Sequence, residues 1–419
     1  MTLFADILSA VFERRTRRDA SDDAEDGRPL EDMAVALVQA TGETSGLVLA
    51  REILDRYELL DDEEKLTFFK YLAHSMNIDP EAVRTSLDAY EREANKASYR
   101  AFAAAAEPPR QELMRRLNMV PGATGTLVNM RADLLRLGRT DPALQALDLD
   151  FRHLFASWFN RGFLVLRPIS WESPAHILEK IIAYEAVHAI ESWDDLRRRL
   201  EPTDRRCFAF FHPSMPDEPL IFVEVALTQG IPSSVQSVLA EGRAALTATE
   251  ADTAVFYSIS NCQAGLASIS FGNSLIKQVA SDLFVELEGL ETFVTLSPIP
   301  NLTKWLDDNG LKYSADNSEN MRAAAAYYLL NAKATNGLPF DPVARFHLGN
   351  GAIIHDVHAG ADTSDKGLKQ SAGAMVNYLY DLAQVEQNHE TFVTTHAVPA
   401  TQEIKDLAGP VALPTEEKG

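Results

Sequence analysis

Through the first 160 residues apolar positions recur at intervals of three and four with charges between them. Ile53, Leu54 and Tyr57 form one such group, Leu66, Phe69 and Leu72 the next, then Leu113 and Leu117, then Leu134, Leu135 and Leu137. That spacing gathers the apolar side chains on one face of each of several amphipathic helices. Breaks fall at Asp79-Pro80, Pro108-Pro109, Pro121-Gly122 and Asp141-Pro142. Asp79-Pro80 and Asp141-Pro142 read as an N-cap followed by proline in the first helical turn. No catalytic constellation occurs here, and His74 and His153 read as surface or locally satisfied histidines. The pattern predicts an all-helical bundle over residues 1–160, serving packing and oligomerisation. Its first 28 residues carry helically spaced apolar positions followed by arginines, but Asp6, Glu13 and the acids after Asp19 suit a targeting peptide poorly. A disordered or lightly docked arm is the expectation there.

From Phe163 the period changes. FLVLRPI is short and strand-like, Ser173-Pro174 opens a helix that runs through Tyr184, and CFAFFH and LIFVEVALT follow as aromatic and β-branched runs. In VFYSISN, Val255, Tyr257 and Ile259 alternate with Phe256, Ser258 and Ser260, the mark of a well-buried strand. A glycine-bearing turn with Gly265 and Gly272 comes next. The amphipathic helix SLIKQVASDLFVELEGL follows, capped by Asn273 or Ser274, and then the strand TFVTLSPIP. Strand, turn and helix start make an anion seat, with Lys277 adding a charge, although a plain structural turn reads equally well. Pro298 and Pro300 stop the last strand and hold Ser297 at the rim of a sheet. The Ala-rich run from Ala323 leads a helix toward the final segment, Phe346-His347-Leu348-Gly349-Asn350-Gly351-Ala352. Strands alternating with helices predict an α+β chain: a helical N-terminal domain over 1–160, a mixed-sheet domain over 161–405, and a tail over 406–419.

Length and charge narrow the partners. A chain of 419 residues with 46% hydrophobic positions buries substantial cores and suits two domains. Its 61 acidic against 39 basic residues give a net charge of −22, which excludes nucleic acid or an anionic membrane as the main partner. An anionic ligand must therefore meet a local cluster of donors. Cys207 and Cys262 are too few for a disulfide framework or a structural zinc site and read as buried thiols in a cytoplasmic protein. No apolar run is long enough to span a membrane.

Several long segments resemble malonyl-CoA decarboxylases. They are FYSISNCQAGLASISFGNSLIKQVASDL, TLSPIPNLTKWL and FHLGNGAIIHDVHAGADTSDKGLKQSAGAMVNYLYDL, with ISWESPAHILEKI, YEAVHAIESWDDLRRRL and HPSMPDEPLIFVEVALT ahead of them, in family order from about Ile169 to Leu382. The resemblance implies a sheet domain like the acetyl-CoA-dependent N-acetyltransferases (GNAT fold), splayed where acyl-CoA enters. It implies decarboxylation of malonyl-CoA to acetyl-CoA and a homotetramer held by helical domains. The family's serine and histidine fall on Ser297 and His347, with Thr295 a lesser hydroxyl candidate. Its substrate-binding segment falls on Ala267, Ser268, Ile269, Ser270, Phe271, Gly272 and Asn273.

Loss of CO2 from a malonyl thioester leaves an enolate stabilised by the thioester carbonyl, so no biotin, pyridoxal, thiamine or metal cofactor is expected. A hydroxyl bonded to an imidazole suits delivery of the proton to the α-carbon. An acyl-CoA-dependent N-acyltransferase and a non-catalytic acyl-CoA sensor are the rival readings on the same fold. Asn261, Gln263, His212 and Glu224 are candidates to line the site, although a structural role reads at least as well for each. His355 and His358 sit on opposite faces of a strand and are not read as metal ligands. Tyr378 and Tyr380 are read as packing a helix that closes the domain, not as proton donors.

Overall fold

The computed structural model describes residues 27–269, 275–311, 313–314 and 317–409. Residues 1–26 of the arm, 410–419 of the tail, and Ser270, Phe271, Gly272 and Asn273 of the expected substrate segment lie outside the described residues, as do the cap candidates Asn273 and Ser274. Internal packing divides the chain into two compact units, residues 1–151 and 152–419.

The first unit is helical, as its three-and-four periodicity predicts. Asp79 Oδ1 accepts from the amides of Glu81 and Ala82 at 2.9 and 3.3 Å, and Asp141 Oδ1 from that of Ala143 at 2.9 Å, so both Asp-Pro pairs cap helices. Tyr57 packs its ring against Phe68 and Phe69 at centroid distances of 6.1 and 6.0 Å. His74 and His153 are exposed.

The second unit is built on an eight-stranded mixed sheet. Its strands are β1 (Val165–Ile169), β2 (Arg205–Phe211), β3 (Ile221–Thr228), β4 (Thr253–Asn261), β5 (Thr292–Thr295), β6 (Ser297–Pro298), β7 (Ile353–His358) and β8 (Met375–Leu379). They lie in the order β1-β2-β3-β4-β5-β8-β6, with β7 on the other edge of β8. Among these strands only β4 and β5 run parallel, joined through the helix Leu275–Glu286. This is the βαβ arrangement predicted for residues 255–300.

That parallel pairing is brief. It runs from Thr253 opposite Thr292 to Phe256 opposite Thr295, and the Leu296 amide still reaches Phe256 O at 3.0 Å. Beyond Phe256, β4 pairs only with β3. Tyr257 is the extra residue of a bulge, since Val225 opposes Phe256 and Glu224 opposes Ser258. A bulge bends its strand and re-aims a side chain. The sheet therefore opens between β4 and the β5–β6 segment, as expected of a splayed mixed sheet.

One face of the sheet carries a polar network. Glu185 follows the helix Ala175–Tyr184, and its carboxylate accepts from Ser258 Oγ at 2.7 Å, Ser260 Oγ at 3.2 Å and the amides of Val187 and His188 at 2.7 Å each. Glu224 is fully buried and meets Arg199 Nη1 at 3.3 Å, while the same guanidinium donates to His188 O and Ala189 O. These bonds hold the loop 185–190 over the end of β4. Cys207 and Cys262 are free and buried on the same side. Burial lifts the Glu224 pKa to about 8 against the pull of Arg199, so replacing Arg199 by Ala leaves a buried carboxyl and two loop carbonyls without donors rather than a stranded charge. The expected loss is about 1–3 kcal/mol of unfolding free energy, the usual cost of leaving a buried polar group unpaired, measured by urea denaturation; an unchanged midpoint would show that Arg199 does not hold this loop.

Candidate active site

The sequence brings the site together from three places. Pro298 and Pro300 end the β5–β6 segment and leave Ser297 at the opening of the sheet, 5% exposed. His347 lies in the last turn of the helix Pro342–Gly349. The N-cap of that helix is Asp341, whose Oδ1 accepts from the amides of Val343 and Ala344 at 2.9 Å each, with Pro342 in the first turn. The helix stops at Asn350, and Gly351 turns the chain with φ +84°. A Cβ at Gly351 would lie 1.9 Å from Val385 O, so only glycine fits where the chain leaves the helix.

This geometry places Ser297 Oγ 3.1 Å from His347 Nε2. On the far side of the ring, His347 Nδ1 lies 2.8 Å from the Tyr380 hydroxyl. Tyr378 stacks on the imidazole at 4.5 Å and 23°, and Phe346 meets it edge-on at 5.1 Å. Burial holds the His347 pKa down at about 3, so the ring is neutral from mildly acidic to alkaline pH. Among the described residues the Tyr380 hydroxyl has no other hydrogen-bond partner, so its proton belongs on Nδ1, and the ring proton on Nε2, facing Ser297. Ser297 Oγ in turn donates to Thr295 Oγ1 at 2.8 Å. A directed chain thus runs from Tyr380 through His347 to Ser297.

The tyrosines correct the sequence reading. They do not pack a closing helix: Tyr378 lies in β8 and Tyr380 just after it, two residues apart on one face, and both are spent on His347. The alternation in Met375-Val376-Asn377-Tyr378-Leu379-Tyr380 already carried that signal, because i and i+2 share a face of a strand. Thr295 is fully buried and occupied, accepting from Ser297 and from the Tyr378 amide at 3.1 Å. It supports the serine.

Ser297 and His347 open onto a cavity of about 270 Å³ at the mouth of the sheet. Phe256, Ile259, Pro298, Val343 and Phe346 give it apolar walls, and Val187 enters from the loop held by Glu185. Such walls exclude water and strengthen the few polar contacts inside. Asn261 also lines this cavity, whereas Gln263 donates to Pro219 O at 3.0 Å, His212 Nε2 meets Trp158 O at 3.0 Å, and Glu224 belongs to the Arg199 pair. Of the expected substrate segment, Ala267, Ser268 and Ile269 follow the short turn Ala264–Leu266, and Ser268 takes a left-handed φ of 62°. Among the described residues no group of three His, Cys, Asp or Glu side chains is arranged to hold a metal; His358 instead meets Asn377 Oδ1.

The Asp341 cap fixes where His347 ends. Burial lifts the Asp341 pKa to about 6, opposed by its two cap bonds, and Tyr328 donates to it at 3.3 Å. Asp341→Ala should cost about 1 kcal/mol of stability, the usual value of such a cap, and lower turnover more than binding. Thermal unfolding together with kcat and KM checks this; normal kcat in the variant would mean that the cap does not position His347.

The family model described as malonyl-CoA decarboxylase C-terminal domain matches residues 162–321 and 310–418, and that of the N-terminal domain matches 76–159. The mitochondrial malonyl-CoA decarboxylase of Anser anser anser is 34% identical over 348 residues, covering 71% of this chain and 69% of that protein. The crystal structure of malonyl-CoA decarboxylase from Rhodopseudomonas palustris has 46% identity and a TM-score of 0.86, covering 90% of this chain and 98% of that one. The structure from Agrobacterium vitis gives 46% and 0.85, with 91% and 99% covered. With its fold and both of its domains matched, the chain belongs to the malonyl-CoA decarboxylase family.

Proposed function

We propose that the chain decarboxylates malonyl-CoA to acetyl-CoA and CO2, with Ser297 and His347 as its catalytic pair. The observation that carries this reading is the 3.1 Å contact between Ser297 Oγ and His347 Nε2 at the wall of an apolar cavity in the opened sheet. The bond between the α-carbon and the carboxylate breaks, CO2 leaves, and the electron pair passes into the thioester as an enolate. A proton then forms the new bond at the α-carbon.

Each part of the site matches a step. The apolar walls favour loss of a charged carboxylate as neutral CO2 and protect the enolate from water. The Ser297 hydroxyl, held by Nε2–H behind it, donates to the developing enolate when its proton turns from Thr295 Oγ1 into the cavity, and a donor placed there lowers the barrier. Because burial keeps His347 neutral, the proton that Ser297 gives to the α-carbon is replaced from Nε2–H, and that on the ring from the Tyr380 hydroxyl, so no imidazolium forms; the proton Tyr380 gives up is restored from water before the next turnover. The thioester is itself the electron sink, so the chemistry calls for no metal, biotin or pyridoxal cofactor. The turn at Ala267, Ser268 and Ile269, leading into the helix Leu275–Glu286, is the reading for the pantetheine arm and pyrophosphate, supported by the family resemblance.

We read the chain as a cytoplasmic enzyme of fatty-acid metabolism and as a homotetramer. The buried thiols Cys207 and Cys262 support the first reading. Family resemblance alone supports the tetramer.

Ser297→Ala and His347→Asn should each lower CO2 release by about 10²–10⁴-fold, the usual worth of a placed acid–base group, with CoA affinity little changed. Full turnover in either variant would remove that residue from the mechanism. The pH profile of kcat should show no limb near 6.5, because the folded imidazole takes up a proton only near pH 3. Stability has the matching sign. Between pH 6.5 and 3 the unfolded chain binds a proton at His347 that the folded chain refuses, so this residue withdraws stability as pH falls through that window.

A further inference from the structure

A second cavity, of about 510 Å³, lies beside the first, and a ring of lysines lines it. One wall is the turn and helix that follow Ser297: Pro300, Thr303 and Lys304. The other is the helix Asp365–Ser371, which presents Lys366 and Lys369 with Asp365. Three of the twelve lysines of the sequence thus meet in one place on a chain of net charge −22. Among the described residues neither Lys304 nor Lys369 has an ion-pair partner, whereas Arg206 is matched with Glu286 and Arg322 with Asp356. The only carboxylate on the wall is Asp365, and like the three lysines it is exposed.

The walls are fixed. Thr303 Oγ1 bonds to Lys369 O at 2.8 Å and to Gln370 O at 3.0 Å, tying one wall to the other. Ser364 caps the lysine-bearing helix at the Gly367 amide, and a Cβ at Gly367 would lie 2.4 Å from the Asp362 carboxyl carbon, so that helix sits close against the chain before it. The two cavities share no lining residue, but their walls are joined along the chain and by one hydrogen bond. Pro298 lines the first and Pro300 the second, and Lys366 Nζ donates to Ala186 O, next to Val187 in the wall of the first. From Ser297 to Pro300 is three residues, roughly 10 Å of extended chain. Coenzyme A, whose 3′-phosphate lies on the ribose beyond the pantetheine arm and the pyrophosphate, is long enough to span that gap.

We propose that this lysine-lined cavity receives the 3′-phosphate of the substrate's coenzyme A moiety, leaving the pyrophosphate to the turn that leads into the helix Leu275–Glu286. The inference rests on the malonyl-CoA reading above. A phosphate monoester is the most charged part of coenzyme A, and lysines bind phosphate as compact point charges without fixed fork geometry. An acidic protein repels an anionic substrate over most of its surface, so unpaired cations beside the catalytic opening give the substrate both a docking point and a direction of approach.

The test is calorimetric binding of CoA and of 3′-dephospho-CoA to the full chain and to the Lys304→Gln/Lys369→Gln double variant, at two salt concentrations. Lys366 is kept for its bond to Ala186. The wild type should bind CoA about tenfold more tightly than dephospho-CoA, and the double variant should lose that preference while binding dephospho-CoA as the wild type does. A wild type with no preference, or a variant that keeps it, overturns the proposal. A variant that loses affinity for both ligands equally assigns the cavity to the pyrophosphate, which also overturns it. Because binding is read without turnover, normal CoA binding with no CO2 release would sink the decarboxylase reading and leave this site standing.

Discussion

The hydrogen bond between Ser297 and His347 joins two stretches fifty residues apart, and the second unit is arranged to permit it. The serine must stand at a sheet opening, which requires β4 and β5 to part after a few pairs; the bulge at Tyr257 and the proline-bounded end of β6 both serve this. The histidine must arrive at the end of a short helix with its Nε2 facing that opening. Asp341 fixes where the helix begins and Gly351 lets it end. Tyr378 and Tyr380 then fix the ring in plane and tautomer. Burial follows from this packing, and burial is what keeps the imidazole neutral.

Charge is handled locally against a strongly acidic background. Deep carboxyls are met locally: Glu185 by two serines and two amides, and one oxygen of Glu224 by Arg199. Among the described residues Lys304 and Lys369, facing the outer cavity, are without ion-pair partners. An anionic substrate has a reason to bind where cations are unspent and to react where the walls are apolar.

Much of this was legible in the sequence. The three-and-four spacing gave the helical unit, the Asp-Pro pairs gave caps at Asp79 and Asp141, and the alternation after Val255 gave β4. Ser297 was marked by the prolines around it and His347 by the Gly-Asn-Gly after it, although their pairing came from family likeness, since no local rule joins residues fifty apart. The tyrosines were misjudged because a strand of tyrosines and asparagine looks like ordinary packing until its partner is known. Val187 and Val343 enter the cavity wall only through tertiary contacts, and the lysine cluster is split between residues 304 and 366–369, so neither stood out along the chain.

The central claim is a neutral imidazole whose Nε2 proton faces Ser297 and whose Nδ1 is held by Tyr380. Nitrogen-15 NMR of the protein labelled at histidine tests it directly. One ring, absent from the spectrum of His347→Asn, should stay in the neutral Nε2–H form from pH 5 to pH 8 and shift when Tyr380 is replaced by Phe. A His347 ring that titrates near pH 6.5, or that carries its proton on Nδ1, would contradict it.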